Sequence, residues 1–246
     1  MSARSSGSKW LRSLTASKQI ILDSSSSVIQ DIVDRQSEPD YVAKKVKHKQ
    51  PVSIANFSPP QYSNLVPINL LHSIGLITTP IIPNLADLSS TWAIYRYFWA
   101  FASNSKILRL SNIAKEIDFH QKSLLSDEIG VGMVHWIMPR FFGGVDHIDF
   151  DVAIRHPKIS QNMGISKLIR VGSAKPDYIF VTDNNRFAIV ESKGSQGGRN
   201  KSLNQIVRGL EQVPSVRFAD GTKADEYVLA TSITNNLWFA QILTRN

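Results

Sequence analysis

The stretch from Lys175 to Ser195 reads KPDYIFVTDNNRFAIVESKGS, and three of its side chains, Asp177, Glu191 and Lys193, have the types and spacing for chemistry. FAIVESK has strand character, so Glu191 and Lys193 project from one surface while Ser192 points away. Apolar residues fall on both parities, Phe187 and Ile189 as well as Ala188 and Val190, which predicts a central strand covered on both faces. An acid and a lysine at the end of such a strand are costly unless they are paired, hydrated or bound to a metal. Asp177 opens the preceding apolar run, and the polar TDNNR turn returns the chain so that Asp177 comes beside Glu191. Two carboxylates so placed make a hard-oxygen site for Mg²⁺ or Mn²⁺, with a main-chain carbonyl and water completing the octahedron.

The elements that must position these residues occupy the last half of the chain. SDEIGVGMVHWIMPRFF predicts a helix with Ser126 as cap, acids in its first turn, an apolar stripe through Ile129, Met133, Trp136 and Ile137, and a stop near Pro139. VDHIDFDVAIR alternates acid and apolar residues and predicts a strand with Asp149 and Asp151 on one face, a solvated face rather than a metal site. KLIRVGS, PDYIFVTD and FAIVES follow as strand material. Ser202 and Gln205 have capping-box spacing, and Leu203, Ile206, Val207, Leu210 and Val213 continue a helical stripe to Pro214. EYVLATSI and LWFAQIL close the chain as two strands, so residues 119–246 read as an α/β domain with a mixed sheet covered by helices.

The first half is less ordered in pattern. Residues 1–60 are polar and broken, with one short helix near Val28 to Arg35, and read as a flexible extension with a basic N-terminus that adds little core. The run AKKVKHK is a solvated charge run in this reading. Residues 61–118 read as a helical accessory region. There Ser89 or Ser90 caps one aromatic-rich helix through Phe101, and SKILRLSNIAKEID makes a second. Trp92, Tyr95, Trp99 and Phe101 have the types to stack bases, yet their helical spacing among small and apolar neighbours favours a core role.

Composition narrows the function classes. The 246 residues carry 28 Lys and Arg against 20 Asp and Glu, a net charge of +8 that favours a polyanionic partner such as nucleic acid. With no cysteine there is neither a disulfide framework nor a thiolate zinc site, which fits an intracellular, cytoplasmic protein. The most apolar region, LVPINLLHSIGLITTPIIPNLADL, is broken by Pro67, His72, Gly75, Pro80 and Pro83 and predicts buried packing rather than a membrane span. His135, His147 and His156 lack metal-ligand spacing.

Pro176-Asp177 followed by Glu191-Ser192-Lys193 resembles the PD-(D/E)xK nuclease superfamily, the restriction-endonuclease-like fold, over about residues 119 to 246. Among the acids of this chain Glu191 alone has a lysine two residues on, and the second Pro-Asp pair, Pro39-Asp40, has no acid-x-Lys within reach. The resemblance implies that Asp177 and Glu191 are metal ligands, that the Ser192 carbonyl adds a further ligand, and that Lys193 is the catalytic lysine orienting the attacking water. It further implies a helix acid, matched by Glu128, and a polar residue on the following helix, matched by Gln205. The implied activity is phosphodiester hydrolysis in nucleic acid, DNA being favoured, leaving 5′-phosphate and 3′-hydroxyl ends.

Arg199, Lys201 and Arg208 follow the motif in a glycine-rich, basic stretch and are expected phosphate contacts. Each residue also has a plain structural reading: Asp177 as a strand opener, Glu191 with Lys193 as a same-face ion pair, Glu128 as a helix-terminus acid and Gln205 as a cap. Three other functions fit the chain. They are a silent nucleic-acid-binding or protein-interaction module of the same fold, a structural protein docking a partner through Trp92 to Phe101, and a phosphoesterase for a small substrate. Cutting both strands of a duplex would suggest a homodimer.

Overall fold

In the computed structural model, residues 10–23, 26–37, 52–54, 60–79, 90–233 and 238–245 are described. They form a mixed α/β architecture. The strands are β1 (Lys18–Asp23), β2 (Val52–Ile54), β3 (Gln61–Leu65), β4 (Gly144–Asp149), β5 (Leu168–Arg170), β6 (Tyr178–Thr182), β7 (Phe187–Ser195), β8 (Val216–Phe218), β9 (Ala224–Ile233) and β10 (Trp238–Arg245). The helices are α1 (Ser26–Ser37), α2 (Pro67–Thr78), α3 (Trp92–Tyr97), α4 (Asn112–Glu116), α5 (Phe119–Phe141), α6 (Phe150–Arg155), α7 (Pro157–Asn162) and α8 (Arg199–Gly209). One sheet runs in the order β3-β1-β10-β9-β7-β6-β4, with β2 also paired to β10, while β5 and β8 form a separate small sheet. No described helix is long and apolar enough to cross a membrane.

β7 lies centrally, antiparallel to β6 and parallel to β9. Its two parities enter different cores, as its sequence pattern predicts. Ala188 and Val190 pack with Ile129, Met133 and Ile137 of α5 and with Leu70, Leu71 and Ile74 of α2. Ile189 packs on the other face with Leu203, Ile206 and Val207 of α8 and with Val28 and Ile32 of α1. Near the end of β7 the helix comes unusually close. A Cβ on Gly194 would stand 1.7 Å from the Ser126 carbonyl oxygen, and one on Gly130 would stand 2.8 Å from the Gly194 nitrogen. Backbone meets backbone here, and only glycine permits it.

Several elements differ from their sequence-based expectations. β1 carries Ile20 and Leu22, both fully buried, so part of the stretch expected to add little core is a strand of the main sheet. Its partners β3 and β10 are remote in sequence, and a run as short as QIIL has too little periodicity to reveal them. The expected helix near Val28 is present as α1. α5 begins at Phe119, where Asp118 Oδ1 accepts from the Gln121 N–H at 3.0 Å, so Ser126 is not its cap and the acids are not in its first turn. Pro139 lies within the last turn of α5 rather than ending it.

The VDHIDFDVAIR stretch is strand only to Asp149, whose Oδ1 accepts from the Val152 N–H at 2.9 Å and starts α6. The aromatic helix spans Trp92–Tyr97 with Thr91 as its cap residue, so Ser90 does not cap it, while Ser89, the other expected cap, lies outside the described residues. Phe101 has left that helix to bridge Leu110, and the second accessory helix shrinks to α4. Tyr97 and Phe101 are core, whereas Tyr95 is exposed. The expected basic N-terminus at residues 1–9, the AKKVKHK run and the Pro39-Asp40 pair also fall outside the described residues.

A Gly194→Ala substitution is expected to lower the unfolding free energy by about 2 kcal/mol or more, because neither backbone can yield without separating α5 from β7. Urea unfolding checks it, with Gly198→Ala, where a Cβ meets nothing within 4 Å, as the tolerated control.

Candidate active site

β7 runs past the start of β6. The last antiparallel pair is Tyr178 with Val190, and residues 191–195 have β9 on one side and, among the described residues, no strand on the other. Val190 faces the β6 edge, accepting from the Asp177 N–H at 3.2 Å, and Ser192, two residues on, presents its N–H and carbonyl to the same edge. Asp177 fills the gap: its Oδ2 accepts from the Ser192 N–H at 2.8 Å. The Asp177 main chain is held as well, its carbonyl accepting from the Phe150 N–H at 2.9 Å. One residue beyond Lys193, the Gln205 side-chain amide on α8 donates to the Gly194 carbonyl at 2.9 Å. Gln205 is thus placed by the real start of α8, capped at Gly198, and takes no part in the expected capping box with Ser202.

Glu191 is the least exposed charged residue in this group, with no accessible surface. Its Oε1 accepts from the Lys193 ammonium, while Oε2 is buried with no well-formed hydrogen bond among the described residues. Burial first, and the nearby Asp177 charge second, push its pKa up to about 8 against the pull of Lys193. Asp177 is also raised, again chiefly by burial and with smaller contributions from Asp149 and Asp127, while the Ser192 N–H and Lys193 oppose the shift. Ser192 Oγ and Gln205 Oε1 are two further buried oxygens without partners.

Proximity therefore joins Asp177, Glu191, Ser192, Lys193 and Gln205, as the sequence suggests. The helix acid is different. α5 turns about 100° per residue, and its contact through Ser126 and Gly130 with Gly194 fixes which side faces β7. Asp127, not Glu128, is the acid coupled to Asp177, Lys193 and Lys201; burial raises its pKa and the two lysines lower it. Glu128 instead faces Tyr97 and Arg96 of α3. Burial raises its pKa, and both its Oε2 and the Tyr97 hydroxyl lack a well-formed hydrogen bond. The adjacent acids of DEIGVG were the signal, but choosing between them requires the helix rotation.

The basic residues separate too. Arg199 is occupied by the N-terminal segment: Nη2 donates to Asp31 Oδ2 at 2.9 Å, and Nη1 lies 3.9 Å from Asp23 Oδ2. Beside it Arg35 Nη1 donates to Asn204 Oδ1 at 2.6 Å, so this arginine pair fastens α1 to α8. The expected phosphate contact at Arg199 is in this structure a structural clamp. Lys201 stands in the field of Asp127 near the motif, and Arg208 is exposed at the other end of α8. Asp151 is held by Lys175 at 2.7 Å. His135 and His147 meet edge to face with centroids 5.0 Å apart, and burial lowers both pKa values, His135 to about 4.

Among the described residues no three His, Asp or Glu side chains gather into a metal-binding group. A cation at this site would draw on Asp177 and Glu191 and on the Ser192 carbonyl at the same edge. The donor chemistry fits a hard divalent ion: two carboxylates whose ionisation burial opposes, one of them with an oxygen left without a partner. Comparisons with protein-family models, curated proteins and solved structures find no match to this chain.

Glu191 gives a signed pH dependence without added metal. The folded state retains its proton up to about pH 8, whereas an unfolded glutamate loses it near the ordinary carboxyl value of 4.5. The folded protein therefore binds more protons across that interval, and this residue's contribution to stability falls as pH rises, by up to about 1.4 kcal/mol per pH unit. In EDTA, Glu191→Gln is expected to flatten the fall in urea-unfolding free energy between about pH 6 and about pH 8 and to be the more stable protein at the upper end. An unchanged slope would mean that Glu191 is ionised in the metal-free fold.

Proposed function

We propose that this protein is a metal-dependent nuclease that hydrolyses phosphodiester bonds, with DNA as its favoured substrate and Mg²⁺ or Mn²⁺ as its cofactor. The observation that carries the reading is the convergence at the open edge of β7. Asp177 is anchored to the Ser192 N–H, beside a fully buried Glu191 that accepts from the Lys193 ammonium at one oxygen and has no well-formed hydrogen bond at the other. A mixed sheet with helices on both faces supports the restriction-endonuclease-like resemblance at the level of architecture.

Asp177 and Glu191, with the Ser192 carbonyl, would hold the ion. When bound, it would polarise the scissile phosphate and lower the pKa of a coordinated water. The roles of the protein's own groups follow from their placement. Asp177 is held by hydrogen bonds at its N–H, carbonyl and carboxylate, so its oxygens are aimed before substrate arrives. Lys193 is partly exposed while its Glu191 partner is sealed, which leaves the ammonium able to face a water or a phosphate oxygen. There it orients the nucleophile and offsets negative charge developing on the phosphate. Gln205 steadies the Gly194 carbonyl, and its unpartnered Oε1 is a second acceptor at the same edge. Lys201 adds positive charge at the approach, in the field of Asp127.

A silent nucleic-acid-binding module is the second reading. The turn of Glu128 away from β7 toward Tyr97 favours it, since the helix acid implied by the resemblance is then met only by the adjacent Asp127.

Cleavage of supercoiled, linear and single-stranded DNA and of RNA, with Mg²⁺ or Mn²⁺ and with EDTA, separates these readings. Wild type is expected to cut only with metal, and Lys193→Ala to lose about a hundredfold or more in rate while keeping its nucleic-acid affinity. Binding without metal-dependent cutting by either protein would establish the silent module in place of the nuclease.

A further inference from the structure

A second cationic feature lies outside the carboxylate cluster. Between the helical segment at residues 10–15 and the loop that joins α3 to α4 is a cleft of about 780 Å³. Buried Phe101 and Leu110 form part of its lining, together with Trp10, Arg12, Arg109 and Lys115. No acidic residue lines it among the described residues. Two of its cations are held by neutral amides: Arg109 Nη2 donates to Asn104 Oδ1 at 3.2 Å, and Lys115 Nζ donates to Asn112 Oδ1 at 3.1 Å. A fourth cation, Lys18, is buried alongside, with Nζ donating to the Ser103 and Ser105 carbonyls at 3.2 and 2.6 Å. Burial first and the Arg109 charge second lower its pKa, which places Lys18 and Arg109 in one field. Trp10 makes an edge-to-face contact with Phe98, with centroids 5.7 Å apart, and this contact steadies one wall.

The sheet register relates this cleft to the carboxylate cluster. Ser195 pairs with Ser232, Ser232 with Phe239, and Phe239 with Ile21, so one row crosses from the end of β7 to β1. Three strand spacings make that row about 14 Å across. β1 runs antiparallel to β7 through these pairings, so its Lys18 end and the motif end of β7 lie at the same end of the sheet. The cleft adjoins that end through Lys18 and the Gln19–Ile107 bridge.

We propose that the Trp10–Arg12–Arg109–Lys115 cleft binds single-stranded nucleic acid, with the cations on successive phosphates and Trp10 stacked on an unpaired base. Cations without compensating carboxylates select a polyanion, and an aromatic wall with an apolar floor selects one whose bases are free to stack. The identity of the ligand rests on the nucleic-acid reading above. The cleft itself uses none of Asp177, Glu191 or Lys193.

The test is equilibrium binding in EDTA of a fluorescent single-stranded oligonucleotide of about fifteen nucleotides, with duplex DNA and phosphatidylserine vesicles as separate arms. Arg12→Ala/Arg109→Ala/Lys115→Ala is expected to weaken single-strand binding at least about tenfold and to reduce the slope of log K against log salt by about 2. Arg155→Ala/Lys158→Ala/Lys223→Ala removes the same charge from exposed positions elsewhere and is expected to change affinity less than about threefold. Trp10→Ala, measured at a temperature where it stays folded, is expected to weaken single-strand binding by about fivefold or more, and Trp10→Phe, which keeps an aromatic ring there, to recover most of the loss. Equal losses in the two triple variants would overturn the cleft in favour of diffuse charge, and preference for duplex or vesicles would overturn its ligand. Because no metal is present, these results are independent of cleavage: a wild-type protein that binds through the cleft but never cuts refutes only the hydrolytic reading.

Discussion

The end of β7 sets the problem that its surroundings solve. After Val190 the strand loses β6, yet it continues to Ser195 between two packed layers, and its β6-side backbone groups must find other partners. Asp177 takes the Ser192 N–H and Gln205 donates to the Gly194 carbonyl. Side chains thus stand where strand pairing has stopped. A carboxylate used in this way is fixed in space by the sheet rather than by its own rotamer preferences. That is the kind of preorganisation an electrostatic site requires.

Charge at this edge is balanced locally but incompletely. Glu191 is sealed from solvent, and Lys193 compensates one of its oxygens while the other remains without a hydrogen-bond partner. Asp177 adds negative potential beside it, and Asp127 and Asp149 do the same for Asp177. Burial is the largest cause of the raised pKa at both Asp177 and Glu191, so it opposes ionisation of the two neighbouring carboxylates. A divalent cation, as proposed for this site, would offset that charge.

The N-terminal region contributes to the architecture in two ways. β1 extends the main sheet between β3 and β10, and α1 is fastened on α8 by Arg199 with Asp31 and by Arg35 with Asn204. The first interaction is mainly apolar, through Ile20 and Leu22; the second fixes α1 over the helix that carries Gln205. Arg199 therefore shows how a basic residue close to a motif in sequence can be committed to packing, while Arg109, far from the motif in sequence, lines a cleft near the same end of the sheet.

Local sequence pattern was sufficient for β6, β7, β9 and β10, for the helical stripe of α8, and for the pairing of Asp177 with the Glu191–Lys193 surface, because alternation along a strand and a short hairpin turn are properties of neighbouring residues. It was also sufficient to show that α5 would cover the sheet. It could not choose between Asp127 and Glu128. One residue is a rotation of about 100° on a helix, and the orientation is set by contact of Ser126 and Gly130 with Gly194, some seventy positions away. For the same reason the membership of β1 in the sheet, the commitment of Arg199 to Asp31, and the gathering of Trp10, Arg12, Arg109 and Lys115 were decided only by tertiary structure. Each depends on residues distant in the chain and adjacent in space, and no short-range periodicity encodes that adjacency.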